Sequence, residues 1–364
     1  MDIKFFKPGM PVWDVVEADI KKAYTDGILY PGAYTKRMEG MMLDYFQTKH
    51  AVSVSSCSDA LILLLCDLPK GSKVILPSYT FRATSQAAEW NDLEIVLTDV
   101  DDNGYIDPGV LKDCLEKHKD AECVMPVTLW GNFDYANEVG SLCRKYGVRL
   151  IYDAAHGMSS EYKGRPIGCY GDAAVFSIAV TKPLACGEGG IVATNSDNLY
   201  RLVNMGRLHG NVLGNLDCVQ KGMNAKIGEI NSILAIHGMS SMNHFRDARE
   251  RIAEKYKKGL VDLPIRFQEI NKDCTTSRKD FGMWVEDEET RNDLKMFLES
   301  SGIGMKTYFY PPVHKYSNFN GIIFKVDNAE KLANTCLNLP CYDQLTEEEV
   351  SYIVMKIREF YGKR

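Results

Sequence analysis

The sequence predicts an α/β protein: a large domain with a seven-stranded, mostly parallel sheet between helices, followed by a smaller α+β domain. Three observations predict it. Seven short apolar runs have strand length and β-branched enrichment, segments of helical spacing lie between most of them, and a mixed-charge helix after residue 242 leads into a second unit. The expected division is 1–242, including an N-terminal helical segment, and 243–364. Two domains also suit 364 residues at roughly 150 per domain.

In chain order the runs are 51–56 (AVSVSS), 73–78 (KVILPS), 94–100 (EIVLTDV), 123–131 (CVMPVTLWG), 149–155 (RLIYDAA), 172–180 (DAAVFSIAV) and 189–195 (GGIVATN). Helical spacing marks 58–66, 81–90, 108–118 and 135–146, then a stretch from 224 to about 242 and the charged segment 246–258. Strands alternating with helices imply crossover connections and a sheet buried on both faces. The last helix follows LTEEEV, where Thr346 caps it with Glu349 three residues on, and Val350, Ile353, Val354 and Ile357 form its apolar stripe.

Composition narrows the function. The 43 basic residues stand against 49 acidic ones, a net charge of −6, which disfavours nucleic acid and anionic membranes as partners. The eleven cysteines form no CxxC pair, so neither a zinc ribbon nor a disulfide framework is indicated, and a reduced cytoplasm fits. Lys4, Lys7 and Pro8 interrupt the first apolar positions, so no signal-peptide core is expected. The apolar stretch 60–66 falls far short of the roughly 20 residues of a membrane span. A soluble enzyme for a small organic substrate is the expectation. Its chemistry is sought where parallel strands end, since ligands of such sheets bind beyond the carboxyl ends. No GxGxxG after a strand, GxxxxGK[ST], HExxH or GxSxG occurs to anchor a competing assignment.

Lys182 closes an apolar strand and precedes Pro183 and the glycines 187, 189 and 190. A lysine placed there enters a crevice, where desolvation lowers its pKa toward that of an amine able to form a Schiff base. Asp153 closes an earlier strand, from which a carboxylate could meet a protonated pyridine nitrogen; taken alone it equally suits a helix cap or a metal ligand. SSCSDAL (55–61) ends a strand and opens a helix near Ser58, so backbone N–H groups and the Ser58 hydroxyl converge on a phosphate site, or Ser58 simply caps the helix. Ser177 adds a further hydroxyl.

These motifs, in order, carry a resemblance. DGILYPG, SCSDAL, PSYTF, YDAAHG, YKGRPIG, GDAAVFSIAVTKPLACGEGG, GMNAKIGEIN, YFYPPVH and LTEEEV are together similar to the DegT/StrS family of pyridoxal-phosphate-dependent nucleotide-sugar aminotransferases, of aminotransferase fold type I. The resemblance implies pyridoxal 5'-phosphate as cofactor, Lys182 as the lysine that bears it and Asp153 as partner of its ring nitrogen. Phe81 would stack on the ring and His156 lie beside it; Ser58, the backbone of Asp59 and Ser177 would hold the phosphate. Asn224 would reach the phosphate of a neighbouring subunit, implying a homodimer with shared active sites. Tyr310 and His314 fall in a stretch that approaches substrate. Cys57 stands where the family usually has glycine, Ser58 where threonine is usual and Lys226 where arginine is common, while Pro183 after the lysine is less usual.

The implied reaction is ping-pong transfer of an amino group from an amino acid, glutamate by preference, to a keto-sugar nucleotide, an NDP-4-keto-6-deoxyhexose by preference. The alternatives are a non-nucleotide keto-cyclitol acceptor, or a regulatory protein that retains the fold without turnover. A dehydratase branch would carry histidine in place of Lys182.

Overall fold

A computed structural model describes residues 1–212 and 217–363. In chain order its strands are β1 (His50–Val54), β2 (Lys73–Pro77), β3 (Glu94–Thr98), β4 (Ala121–Val124), β5 (Arg149–Asp153), β6 (Glu161–Tyr162), β7 (Arg165–Pro166), β8 (Ala173–Ser177), β9 (Gly190–Thr194), β10 (Arg266–Phe267), β11 (Cys274–Thr275), β12 (Phe281–Trp284), β13 (Ile322–Ile323) and β14 (Cys336–Leu339). The main sheet has the order β1-β9-β8-β5-β4-β2-β3-β13. Only β9 runs against its neighbours, pairing antiparallel with both β1 and β8; the other pairings are parallel.

All seven expected strands are present in this sheet, and β13 extends it to eight. Side chains alternate between two cores as the strand period of two requires. Ile75, Val96, Ala174 and Phe176 join one, with helix Ala33–Phe46; Val74, Leu76, Ile95, Leu97 and Val175 join the other, with helix Cys57–Leu65. Burial on both faces explains why these strands read as unbroken apolar runs. The fourth run is shorter than expected. Strand pairing stops at Val124, before Pro126 with no N–H to give; only Val127 bridges Asp153 again before the turn Leu129–Gly131.

The smaller unit is the antiparallel sheet β10-β12-β14, packed against helices Met242–Leu260, Glu288–Ser300 and Glu347–Gly362. Thr346 caps the last of these in the capping box the sequence indicates. The helix expected from 224 begins only at Glu229, behind Gly228. The buried Glu229 carboxylate accepts the N–H groups of Gly32 (2.7 Å), Tyr34 (2.9 Å) and Thr35 (2.8 Å), so it ties this helix to the start of Ala33–Phe46.

The two units are interleaved. Ile3 bridges Ile303 and is buried in the smaller unit's core, while β13 pairs with β3 and β11 with β6. No helix among the described residues is long and apolar enough to cross a membrane.

Candidate active site

Strands β1, β5 and β8 all end at one cavity of about 330 Å³. It is lined by Ser56, Cys57 and Ser58 after β1, by Asp153 and His156 at the end of β5, by Ser177 closing β8, and by Lys182 beyond it. The structure therefore brings together six of the residues singled out in the sequence: Ser58, Phe81, Asp153, His156, Ser177 and Lys182.

Lys182 is held where its charge is costly. Burial, with the nearby charge of Lys279, lowers its amine from 10.5 to about 8. Asp153 is buried, and burial raises its carboxyl; Thr84 Oγ1 at 2.7 Å and the Ala155 N–H at 3.1 Å donate to its two oxygens and oppose the rise. Thr84 in turn shares a hydrogen bond of 2.8 Å with Thr80. His156 Nδ1 accepts the Trp130 N–H at 3.2 Å, so a neutral ring carries its proton on Nε2. Burial and the charges of Lys182 and Lys279 push its pKa well down, which favours that neutral form.

The phosphate-type corner differs in detail from the expectation. Ser56, not Ser58, is the N-cap of helix Cys57–Leu65: its Oγ accepts the Asp59 N–H at 3.0 Å. The Asp59 carboxylate is taken by the hydroxyls of Ser55 (2.5 Å) and Ser56 (2.8 Å). Asp59, its N–H included, is thus committed to the cap and does not line the cavity, because the cap sits two residues earlier than expected. The N–H groups of Cys57 and Ser58 fall in the first turn, which has no intrahelical acceptor for them. They, with the Ser58 and Ser177 hydroxyls, gather hydrogen-bond donors at one end of the cavity. Gly190 makes this turn possible. A Cβ there would stand 2.7 Å from Cys57 N and 2.6 Å from the Ser56 carbonyl carbon.

Phe81 is 44% exposed and forms the rim between this cavity and a second one of about 540 Å³. Tyr310 lines the second cavity, with its hydroxyl donating to Glu288 at 2.9 Å and the Arg291 guanidinium 4.2 Å from its ring centre. His314 lines neither cavity. Its Nδ1 shares a 2.7 Å hydrogen bond with Ser78 Oγ and its Nε2 lies 3.3 Å from Glu330. Asn224 is exposed, in a bridge with Leu208, away from this chain's own cavity.

The sequence singles out no residue of the remaining wall, although two of its members fall in the YFYPPVH motif. Lys279, Tyr308 and Phe309 line the cavity from the smaller unit. No strand-end pattern marks them. Thr84 was missed as well: it lies in the first turn of helix Arg82–Glu89, and its partner Thr80 precedes the N-cap Phe81, so no helical spacing links the two.

Comparison with known proteins shows the family. The sequence profile of the DegT/DnrJ/EryC1/StrS aminotransferase family covers residues 15–358. The chain belongs to that family. It is 27% identical over 351 residues to a UDP-4-amino-4,6-dideoxy-N-acetyl-beta-L-altrosamine transaminase of Campylobacter jejuni, covering 92% of this chain and 91% of the relative. It is 28% identical over 337 residues to a protein of Geobacillus stearothermophilus named a pleiotropic regulatory protein, covering 91% and 90% of the two chains. Among solved structures, a DegT/DnrJ/EryC1/StrS aminotransferase from Brucella abortus superposes with a TM-score of 0.90 at 25% identity, over 96% of both chains.

Proposed function

We propose that this family member is a pyridoxal-phosphate-dependent sugar aminotransferase that carries an amino group from glutamate to a keto-sugar nucleotide, an NDP-4-keto-6-deoxyhexose, in a ping-pong cycle. One observation carries the reading: a half-buried lysine, a buried carboxylate and a helix N-terminus line one cavity at the ends of β1, β5 and β8. The donor set fits the cofactor. The first-turn N–H groups with Ser58 and Ser177 suit its phosphate, Asp153 its ring nitrogen, and Phe81 a ring face. When bound, pyridoxal phosphate supplies an electron sink for the carbon that loses its proton.

This chain's residues then have distinct tasks. The Lys182 amine, neutral above about pH 8, is the group that accepts a proton and returns it at the adjacent position. Asp153, held by Thr84 and Ala155, presents a carboxylate that a cationic ring nitrogen would keep ionised against the effect of burial. His156, kept neutral, adds no charge to compete with Lys182. The second cavity, reached past Phe81 and bordered by Arg82, Gln86 and Lys315, has the size and polarity for an acceptor larger than an amino acid. The sugar transaminase name of the Campylobacter relative supports the same substrate class. A homodimer is part of the proposal: Val12, Trp13, Tyr24 and Tyr30 are exposed near the N-terminus, and exposed Asn224 is free to serve the site of a second copy.

The test is the visible spectrum of the purified protein with pyridoxal phosphate, before and after glutamate, beside Lys182→Ala. A yellow, borohydride-reducible form that glutamate bleaches, absent from the variant, supports the reading; a protein that stays colourless overturns it. The Geobacillus relative's name favours one second reading, a regulatory protein that has kept the fold. A Lys182→Ala variant that retains the full cellular effect would support it.

A further inference from the structure

The segment 276–280 enters the cavity wall from the smaller unit and is buried throughout. It is fixed at every step. The Ser277 N–H donates to Ser160 Oγ at 2.8 Å, Ser277 Oγ donates to the His156 carbonyl at 2.5 Å, and Arg278 holds Glu250 through two bonds of 2.6 and 2.9 Å. The Lys279 N–H reaches the Trp130 carbonyl at 3.1 Å. This anchoring places the Lys279 side chain on the cavity that holds Lys182 and Asp153.

Lys279 pairs with Asp280 at 2.6 Å, and the two side chains are only 4% and 5% exposed. Burying such a pair costs desolvation that its attraction barely offsets, so stability alone is a poor reason to keep it. The pair is also incomplete. An ammonium has three N–H donors, of which Asp280 Oδ1 takes one, and Asp280 Oδ2 is buried without a partner. The unused donors belong to a cation that lines the cavity. Among the charged residues lining it, Asp153 and Glu188 repel an anion, and Lys182 would hold the cofactor, which leaves Lys279 as the cation available to an incoming anion.

An amino-acid donor brings a carboxylate attached to the same carbon as its amine. With the amine in the place that Lys182 would vacate, that carboxylate needs a cation in the same small cavity. We propose that Lys279 receives the carboxylate of the amino-acid donor, with Asp280 as its positioning partner; the assignment rests on the aminotransferase reading above. The donor class it selects is the α-amino acids, as against simple amines.

The experiment uses the protein loaded with pyridoxal phosphate. Lys279→Met is combined with Asp280→Asn so that no buried charge is left unpaired, and Lys279→Arg is the conservative control; a wild-type cofactor absorbance shows that each variant is folded. Three probes are used: glutamate; glutarate, an unreactive dicarboxylate whose binding is read as a perturbation of the cofactor spectrum; and ethylamine, which has no carboxylate. In the double variant the half-saturating glutamate concentration is expected to rise at least tenfold and glutarate binding to disappear. The ethylamine rate should stay within twofold, and Lys279→Arg should restore glutarate binding. Glutamate and glutarate constants within twofold of wild type would overturn the proposal. So would an equal loss with ethylamine, which would make Lys279 an influence on Lys182, or a change confined to the keto-sugar acceptor, which would assign the cation to a phosphate. If wild type itself takes up no cofactor, the aminotransferase reading falls and this assignment falls with it. A wild type that turns over glutamate beside an unaltered double variant overturns this assignment alone.

Discussion

The two walls of the Lys182 cavity are built by different means. On one side β1, β5 and β8 end together, and their last residues and the helix after β1 supply Ser58, Asp153 and Ser177. On the other side Lys279, Tyr308 and Phe309 come from loops of the smaller unit, held by packing and by bonds to distant segments. The sheet wall follows from a local rule, that a parallel strand must stop and turn at its carboxyl end. The loop wall follows from tertiary contacts alone.

The sharpest break of the comparison lies on the sheet wall. Lys182→Ala is expected to lower the glutamate half-reaction by about 10³-fold or more, within the range ascribed to a positioned proton-transfer group, as read by stopped-flow absorbance. Asp153→Asn should cost on the order of 10²-fold in the same assay while leaving cofactor attachment in place.

The loop wall should fail through folding instead. Gly131 has φ +91°, and a Cβ there would lie 1.9 Å from Ser277 Oγ and 2.8 Å from the His156 carbonyl. Gly131→Ala is expected to destabilise the chain by about 3 kcal/mol in urea denaturation, since the segment that carries Lys279 has no room to yield. Between the walls stands Thr84→Val, which removes a donor from buried Asp153. A loss of about 1–3 kcal/mol in the same denaturation is expected, with the Asp153 carboxyl moving further up.

The mildest test uses pH. The Lys182 amine sits at about 8 in the folded chain against 10.5 for a free lysine. Between those values the unfolded chain holds a proton that the folded one has released, so stability gained from this group rises with pH across that window. Below about pH 8 the group is a net cost to folding. In the cofactor-free protein Lys182→Met should therefore melt above wild type at pH 7, with the gap closing toward pH 10.5. A gap that did not change with pH would refer the effect to packing alone.

The same division explains what the sequence made legible. The seven strands were readable because burial on two faces leaves unbroken apolar runs, and Asp153 was readable because it closes one; Lys182 instead lies in the turn beyond β8, which ends at Ser177. β13, two residues long, carries no such signal and is a strand only because β3 offers an edge. The cap at Ser56 rather than Ser58 turned on which of the serines 55, 56 and 58 met the Asp59 N–H, and serine caps helices readily wherever it stands. Lys279 looked like any lysine in a charged stretch, and nothing local distinguishes a buried cation from a solvated one. The capping box at Thr346 and Glu349, by contrast, is wholly local and formed as read.

The bridge from Ile3 to Ile303 bears on how the chain comes to be made. A ribosome delivers these two residues 300 positions apart, yet the core of the smaller unit contains both. Ile3 must wait until residue 252 before the first residues of its core exist, while the large sheet has every strand but β13 by residue 194. Contacts this far apart in sequence are the slow ones, and the apolar N-terminal segment is exposed meanwhile to association with other nascent chains. The order of synthesis thus favours a sheet assembled early and a smaller unit completed last, and with it the wall that carries Lys279.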